Sequence, residues 1–282
     1  MIEWLYEWFL APFIGFGFMR RALYGSCLLS LSACPAGVFL TLRRMSLVGD
    51  AMSHAILPGA ALGFLLYGLD ILPMTIGGLI AGLAVAVFAG AVSRMTIQKE
   101  DASMAAFYLI SLALGVLIVS LRGSSVDLMH VLFGTVLALN MEALLLIGSV
   151  ALFSLLLLLI FWRALIAECL DPLFLRSVSR LGSPVHFIFL ALVVLNLVAG
   201  FQALGTLLSV GVMILPAVTA RFWTKRIALM CIFSVILGMF ACISGLLFSF
   251  HFSLPSGPAI ILSGGVLYLI SATVFMGRSL RL

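Results

Sequence analysis

The 282-residue chain is 64% hydrophobic and 9% charged, with a mean hydropathy of +1.32 and a formal net charge of +5. Soluble domains carry about 25% charged residues, so this much apolar surface excludes a single water-facing core and points to a multi-spanning membrane protein. The basic residues are dispersed along the chain rather than massed on one stretch, which argues against a nucleic-acid-binding face.

The chain opens on the aromatic, mildly acidic stretch Trp4-Leu-Tyr-Glu-Trp-Phe-Leu-Ala-Pro-Phe13. Its first ten residues hold Glu3 and Glu7 and neither Lys nor Arg, the reverse of the basic start of a cleavable signal peptide. Residues 1–20 are expected to form an amphipathic helix in the outer interface of the membrane. A tenth span here would be short and interrupted by Pro12.

Apolar runs of helix length then follow at about 23–41, 50–67, 73–93, 104–121, 141–162, 187–203, 205–220, 227–249 and 258–276. Each is near the roughly 20 residues that a spanning helix needs. The expected fold class is an all-α polytopic membrane protein of about nine transmembrane helices, within a range of eight to ten, forming one domain over residues 1–282. The count turns on 187–220, which reads either as two spans, the second short and containing Pro216, or as one long broken helix.

The charges fit this partition. Arg43, Arg44, Arg94, Lys99, Arg163, Arg176, Arg180, Arg221, Lys225, Arg226, Arg278 and Arg281 fall after odd-numbered spans. The other side receives Arg20, Arg21 and Arg122. By the positive-inside rule the richer side is cytoplasmic, so the C-terminus lies inside and the first span enters from outside.

Several residues inside and between the spans have simple expectations. Glycines recur at Gly77, Gly78, Gly82, Gly238, Gly245, Gly264 and Gly265, where small residues let membrane helices approach closely. The five cysteines have no CxxC spacing and read as small buried hydrophobes. Glu100 and Asp101 suit the cap and first turn of the fourth span. Asn140 and Glu142 suit the polar start of the fifth. His186 and His251 sit at helix ends, ordinary places for histidine.

Two connections are long, 122–140 outside and 163–186 inside, and long loops are often functional. Asp127 and His130 are three apart in the first. One helical turn puts them on one face, either as a metal entry site or binding-protein contact, or as ordinary loop and capping groups.

The most unusual placement is Asp50 and His54 at the head of an apolar run. Four residues along a helix correspond to about 40° of rotation and about 6 Å of rise, so both side chains point the same way. An Asp at a helix centre costs on the order of 2.5–3.5 kcal/mol on insertion scales, which disfavours lipid exposure. Carboxylate and imidazole together suit a divalent transition metal. The spacing is equally consistent with a hydrogen bond that ties helices, or with Asp50 paired to Arg43 or Arg44. Two ligands also leave a site incomplete, and a two-fold partner would double them.

The stretch Leu42-Arg-Arg-Met-Ser-Leu-Val-Gly-Asp-Ala-Met-Ser-His-Ala-Ile-Leu-Pro-Gly59 resembles the signature of the membrane permease subunits of bacterial zinc, manganese and iron ABC transporters. Ser125-Val-Asp-Leu-Met-His-Val-Leu-Phe-Gly134, Gly205-Thr-Leu-Leu-Ser-Val-Gly-Val-Met-Ile-Leu-Pro-Ala-Val-Thr-Ala-Arg221 and Leu254-Pro-Ser-Gly-Pro-Ala259 are similar to further segments of that family, in order. The resemblance implies a dimeric permease of the inner (cytoplasmic) membrane, similar in topology to vitamin B12 and siderophore importers. It implies two cytoplasmic ATPase subunits, an extracytoplasmic metal-binding protein, and a second permease copy, identical or related. Asp50 and His54 match the family's metal-coordinating pair. No cofactor is implied beyond the transported zinc, manganese or ferrous ion.

The chain has no GxxxxGK[ST] phosphate loop, so ATP hydrolysis falls to a separate subunit and the permease itself is not an enzyme. Asp171-Pro-Leu-Phe-Leu-Arg-Ser-Val-Ser-Arg-Leu-Gly182 reads as a short helix after Pro172 that ends at Gly182. It corresponds to the family's coupling helix, which docks on the ATPase, with Asp171, Pro172, Arg176, Arg180 and Gly182 as its marked residues. The family's usual Leu-Gly-Leu-Pro ending is Leu-Gly-Ser-Pro here. The alternative function is a stand-alone, proton-coupled secondary metal transporter, which would need neither ATP nor partners.

Overall fold

The computed structural model describes residues 6–68, 70–97, 100–121, 139–171 and 182–279. Among the described residues every regular element is a helix. Nine helical segments among them are long and apolar enough to cross a bilayer: Gly17–Leu42, Ser46–Tyr67, Ile71–Ser93, Asp101–Ile118, Met141–Ile160, Pro184–Phe201, Thr206–Trp223, Ile227–Phe252 and Ser256–Gly277. These are the nine predicted runs. Asp127 and His130, and Pro172, Arg176 and Arg180 of the expected coupling helix, lie outside the described residues.

The chain enters through a π-helical turn, Tyr6–Leu10, and a short helix, α1 (Ala11–Gly15). Tyr6, Trp8, Phe9 and Leu10 are exposed, and extended backbone at Phe16 separates α1 from α2 (Gly17–Leu42). α2 begins earlier than its apolar run because Arg20 and Arg21 are accommodated in its first turns with exposed side chains.

After α2 come α3 (Ser46–Ala55), α4 (Leu57–Tyr67), α5 (Ile71–Met95) and α6 (Glu100–Leu121). The second half follows as α7 (Met141–Ile160), α8 (Trp162–Leu170), α9 (Gly182–Leu204) and α10 (Thr206–Trp223). α11 (Ile227–Phe252) and α12 (Ser256–Ser279) complete the chain. Asp70 caps α5 through the Leu72 amide, and Asn140 caps α7 through the Ala143 amide at 2.8 Å. α6 begins at Glu100, as its acidic start suggested. The 187–220 stretch resolves into two helices, because Gly205 adopts a φ of 91°, where a side chain would be strained.

α2 and α9 form the middle of the bundle. The α2 span is 78% buried and the α9 span 72%, against 17% for the α5 span, so the latter faces outward. α2 packs on α7, α10 and α11, and α9 on α5, α7 and α10. With no hydrophobic gain between helices in lipid, close approach carries the packing. A methyl group on Gly37 would run into the Met213 carbonyl of α10. One on Gly59 would strike the Gly77 carbonyl, and one on Gly77 the Gly59 carbonyl. Gly78, Gly82, Gly238 and Gly245 are similarly hemmed in, by Ile56, Val194, Cys34 and Ile260. Gly265 is not: nothing lies within 4 Å of its missing methyl position, so it is no packing glycine.

At one proline inside this bundle, a neighbouring side chain satisfies the freed carbonyl. Pro216 lies within α10 and lacks the N–H that would bond the Val212 carbonyl. The Cys34 thiol of α2 lies 3.2 Å from that oxygen and donates to it. Cys34 thus has a polar role that the reading of cysteines as plain hydrophobes passed over.

Candidate functional site

α3 is a short helix held between two breaks. At its start, Arg44 takes a left-handed φ of 58° and turns the chain out of α2. At its end, Pro58 cannot continue the α3 hydrogen-bond ladder into α4. The carbonyls freed at this second break are paired. His54 accepts from the Ile56 amide, and Ala55 accepts from the Ser111 hydroxyl of α6 at 2.9 Å. Val48, Met52 and Ala55 are buried against the bundle, which leaves the opposite face of α3 for Asp50 and His54.

His54 Nε2 lies 3.9 Å from Asp50 Oδ1, with side-chain exposures of 28% and 65%. That separation is too long for a hydrogen bond and leaves donor atoms of both side chains open to a third party. His54 Nδ1 is buried and has no hydrogen-bond partner among the described residues. The Tyr108 ring of α6 sits beside the imidazole, 6.2 Å between centroids. An exposed carboxylate about one turn into a spanning helix needs a cover other than lipid.

The competing structural roles for this pair are not seen among the described residues. Asp50 pairs with neither Arg43 nor Arg44. Arg43 turns instead to Glu168 of α8 and His186 of α9, at 3.8 and 2.9 Å. No group of three or more His, Cys, Asp or Glu that could hold a metal occurs among the described residues. Among its described residues one copy therefore offers two candidate ligands, Asp50 and His54, on one helical face.

Of the residues marked for ATPase coupling, Asp171 is exposed and ends α8 as its C-cap. Gly182 is the first described residue of α9, and Pro184 lies in the first turn of that helix, where amides lack intrahelical partners anyway. Glu168, which the sequence reading passed over, is 1% exposed, and His186, read as an ordinary helix-end histidine, is 2% exposed. The signal was Glu168 itself, a lone acid inside the apolar run Trp162–Leu170. His251, by contrast, ends α11 as an ordinary helix-end residue, stacked on Trp8 at 4.2 Å.

The chain's relatives carry the same architecture. A manganese transport system membrane protein, MntC, of Halalkalibacterium halodurans is 32% identical over 264 residues, 93% of this chain and 89% of the relative. The manganese import system permease protein ScaB of Streptococcus gordonii is 33% identical, covering 91% of each chain. The chelated iron transport system membrane protein YfeD of Yersinia pestis is 29% identical over 92% of this chain and 86% of its own. Among solved structures, PsaBC from Streptococcus pneumoniae in complex with Fab superposes with a TM-score of 0.83 at 33% identity, over 96% of this chain and 95% of that one. An inward-facing metal-chelate type ABC transporter shares the fold at a TM-score of 0.68 and 15% identity, over 90% of this chain and 84% of that one. The model of the ABC 3 transport family matches residues 15–275. The chain, with nine candidate spans among its described residues, belongs to the ABC 3 transport family.

Proposed function

We propose that the chain is the membrane permease of an ATP-driven importer of divalent transition metal ions, in the cytoplasmic membrane with its C-terminus inside. The observation that carries this reading is the Asp50–His54 pair, two open donors on one face of a broken spanning helix in an ABC 3 family member. Deprotonated Asp and neutral His bind the ion, so uptake weakens as the medium acidifies and protons compete. A second permease copy supplies the matching pair and covers the exposed carboxylate. An extracytoplasmic binding protein delivers the ion, with Asp127 and His130 at the entry side. Cytoplasmic ATPase subunits dock on residues 171–182 and drive alternating access.

The relatives named for manganese and for chelated iron favour those two cargoes. An Asp and His donor set also suits zinc, so competition among the three ions ranks them. The test is uptake of radioactive manganese by the complete complex in proteoliposomes. Asp50→Ala is expected to abolish uptake while the complex still assembles. Full uptake by that variant overturns the site assignment. Uptake by the permease alone without ATP favours the proton-coupled alternative.

A further inference from the structure

We propose that Arg43, Glu168 and His186 form a buried clasp that couples the α8–α9 connection to the metal-binding helix, which makes them positioning residues of the transport cycle. This inference rests on the reading of the chain as an ATP-driven permease.

The three side chains come from elements far apart in sequence. Arg43 caps the C-terminal end of α2, Glu168 lies in α8, and His186 lies at the start of α9. Their side-chain exposures are 9%, 1% and 3%. Arg43 Nη2 is 2.9 Å from His186 Nδ1. A guanidinium only donates, so Nδ1 accepts and the imidazole is neutral, with its proton on Nε2. Glu168 Oε1 lies 3.8 Å from both Arg43 Nη2 and His186 Nδ1. The Arg43 guanidinium also sits over the Phe189 ring, 5.3 Å from its centroid.

Two features make this more than a structural ion pair. First, its position: Glu168 is one turn before the connection begins at Asp171, and His186 is one turn after the connection ends at Gly182. The clasp therefore grips both stems of the segment proposed to receive the ATPase stroke. Second, its continuation: Arg43 leads through the left-handed Arg44 directly into α3. Met45 anchors this turn by donating to the Leu40 carbonyl at 2.9 Å. Asp50 follows one turn later. A shift of the two stems thus reaches Asp50 through one buried arginine and one tight turn. A buried pair of this kind adds little net stability over apolar side chains of similar size, so removing it whole separates coupling from folding.

The test measures manganese uptake and ATP hydrolysis on the same proteoliposomes holding permease, ATPase and binding protein. In the double variant Arg43→Met with Glu168→Leu, the complex is expected to assemble and hydrolyse ATP, while metal moved per ATP falls at least tenfold. His186→Leu lowers that ratio at least threefold, and His186→Asn, whose amide oxygen replaces Nδ1, restores it. A wild-type ratio in the double variant overturns the proposal. So does a proportional fall in uptake and hydrolysis, the mark of a merely structural role. If the double variant does not assemble, the histidine pair decides, and equal ratios for its Leu and Asn forms overturn the clasp. Lack of ATP-dependent uptake by the wild-type complex instead overturns the permease reading itself.

Discussion

Gly59→Ala tests whether α4, which follows the helix of Asp50 and His54, is held by backbone contact. Gly59 and Gly77 face each other where α4 crosses α5, and each would place a methyl group against the other's carbonyl. Alanine gains roughly 0.5–1 kcal/mol over glycine within a helix. Overpacking costs about 1–3 kcal/mol, and the upper half of that range applies because the obstacle is backbone and not a flexible side chain. The net expectation is a loss of about 1–2.5 kcal/mol for Gly59→Ala or Gly77→Ala. Gly265→Ala, with open space around it, keeps only the gain. Because one separation of α4 from α5 relieves both clashes, the double variant loses less than the two singles together. Contacting sites show such coupling at about 0.5–3 kcal/mol. Thermal unfolding midpoints of the four variants in one detergent measure the order. Uptake should fall with Gly59→Ala as well, since α4 continues from the break beside His54. Equal midpoints for the Gly59 and Gly265 variants would refute the reasoning.

Cys34→Ala leaves the Val212 carbonyl without its thiol and should cost about 0.6–1 kcal/mol, whereas Cys34→Ser keeps a donor and stays near wild type. In a Pro216→Ala background, which restores the missing amide, the Cys34→Ala loss should vanish from the unfolding midpoint. Cys169 tests burial outside the spans. Desolvation pushes its thiol up to about 11, against the opposing pull of Arg43. Thiolate is the reactive form, so iodoacetamide at neutral pH should alkylate a variant retaining Cys169 alone about 100-fold slower folded than unfolded. The rate should climb with pH toward 11.

The spans were legible because lipid tolerates few charges, so apolar runs and their flanking arginines mark each crossing. The same-face placement of Asp50 and His54 was legible for a similar reason, being local helical geometry. What escaped the sequence is pairing across distance. Nothing local says that Arg43 meets Glu168 and His186 rather than Asp50. Nor does local sequence say that Gly59 meets Gly77, or that the Cys34 thiol replaces an amide Pro216 lacks. The 187–220 ambiguity had a local answer in Gly205, beside which the partition into 187–203 and 205–220 already put the break.

The incompleteness of the Asp50–His54 pair as a proposed metal site yields a prediction about symmetry. If each of two permease copies gives one Asp and one His to a shared site, a mixed dimer with one Asp50→Ala copy has a single weakened site. Its manganese affinity then lies between those of the wild-type and doubly substituted dimers, at full stoichiometry. If each copy instead built its own site, the mixed dimer would retain half the sites at unchanged affinity. Two permease chains fused in tandem fix the mixture, and a titration with manganese reads affinity and stoichiometry together. Half stoichiometry at wild-type affinity would refute the shared site. The exposed Asp50 carboxylate argues for the other outcome, because a facing partner both covers it and supplies the two ligands that one copy lacks among its described residues.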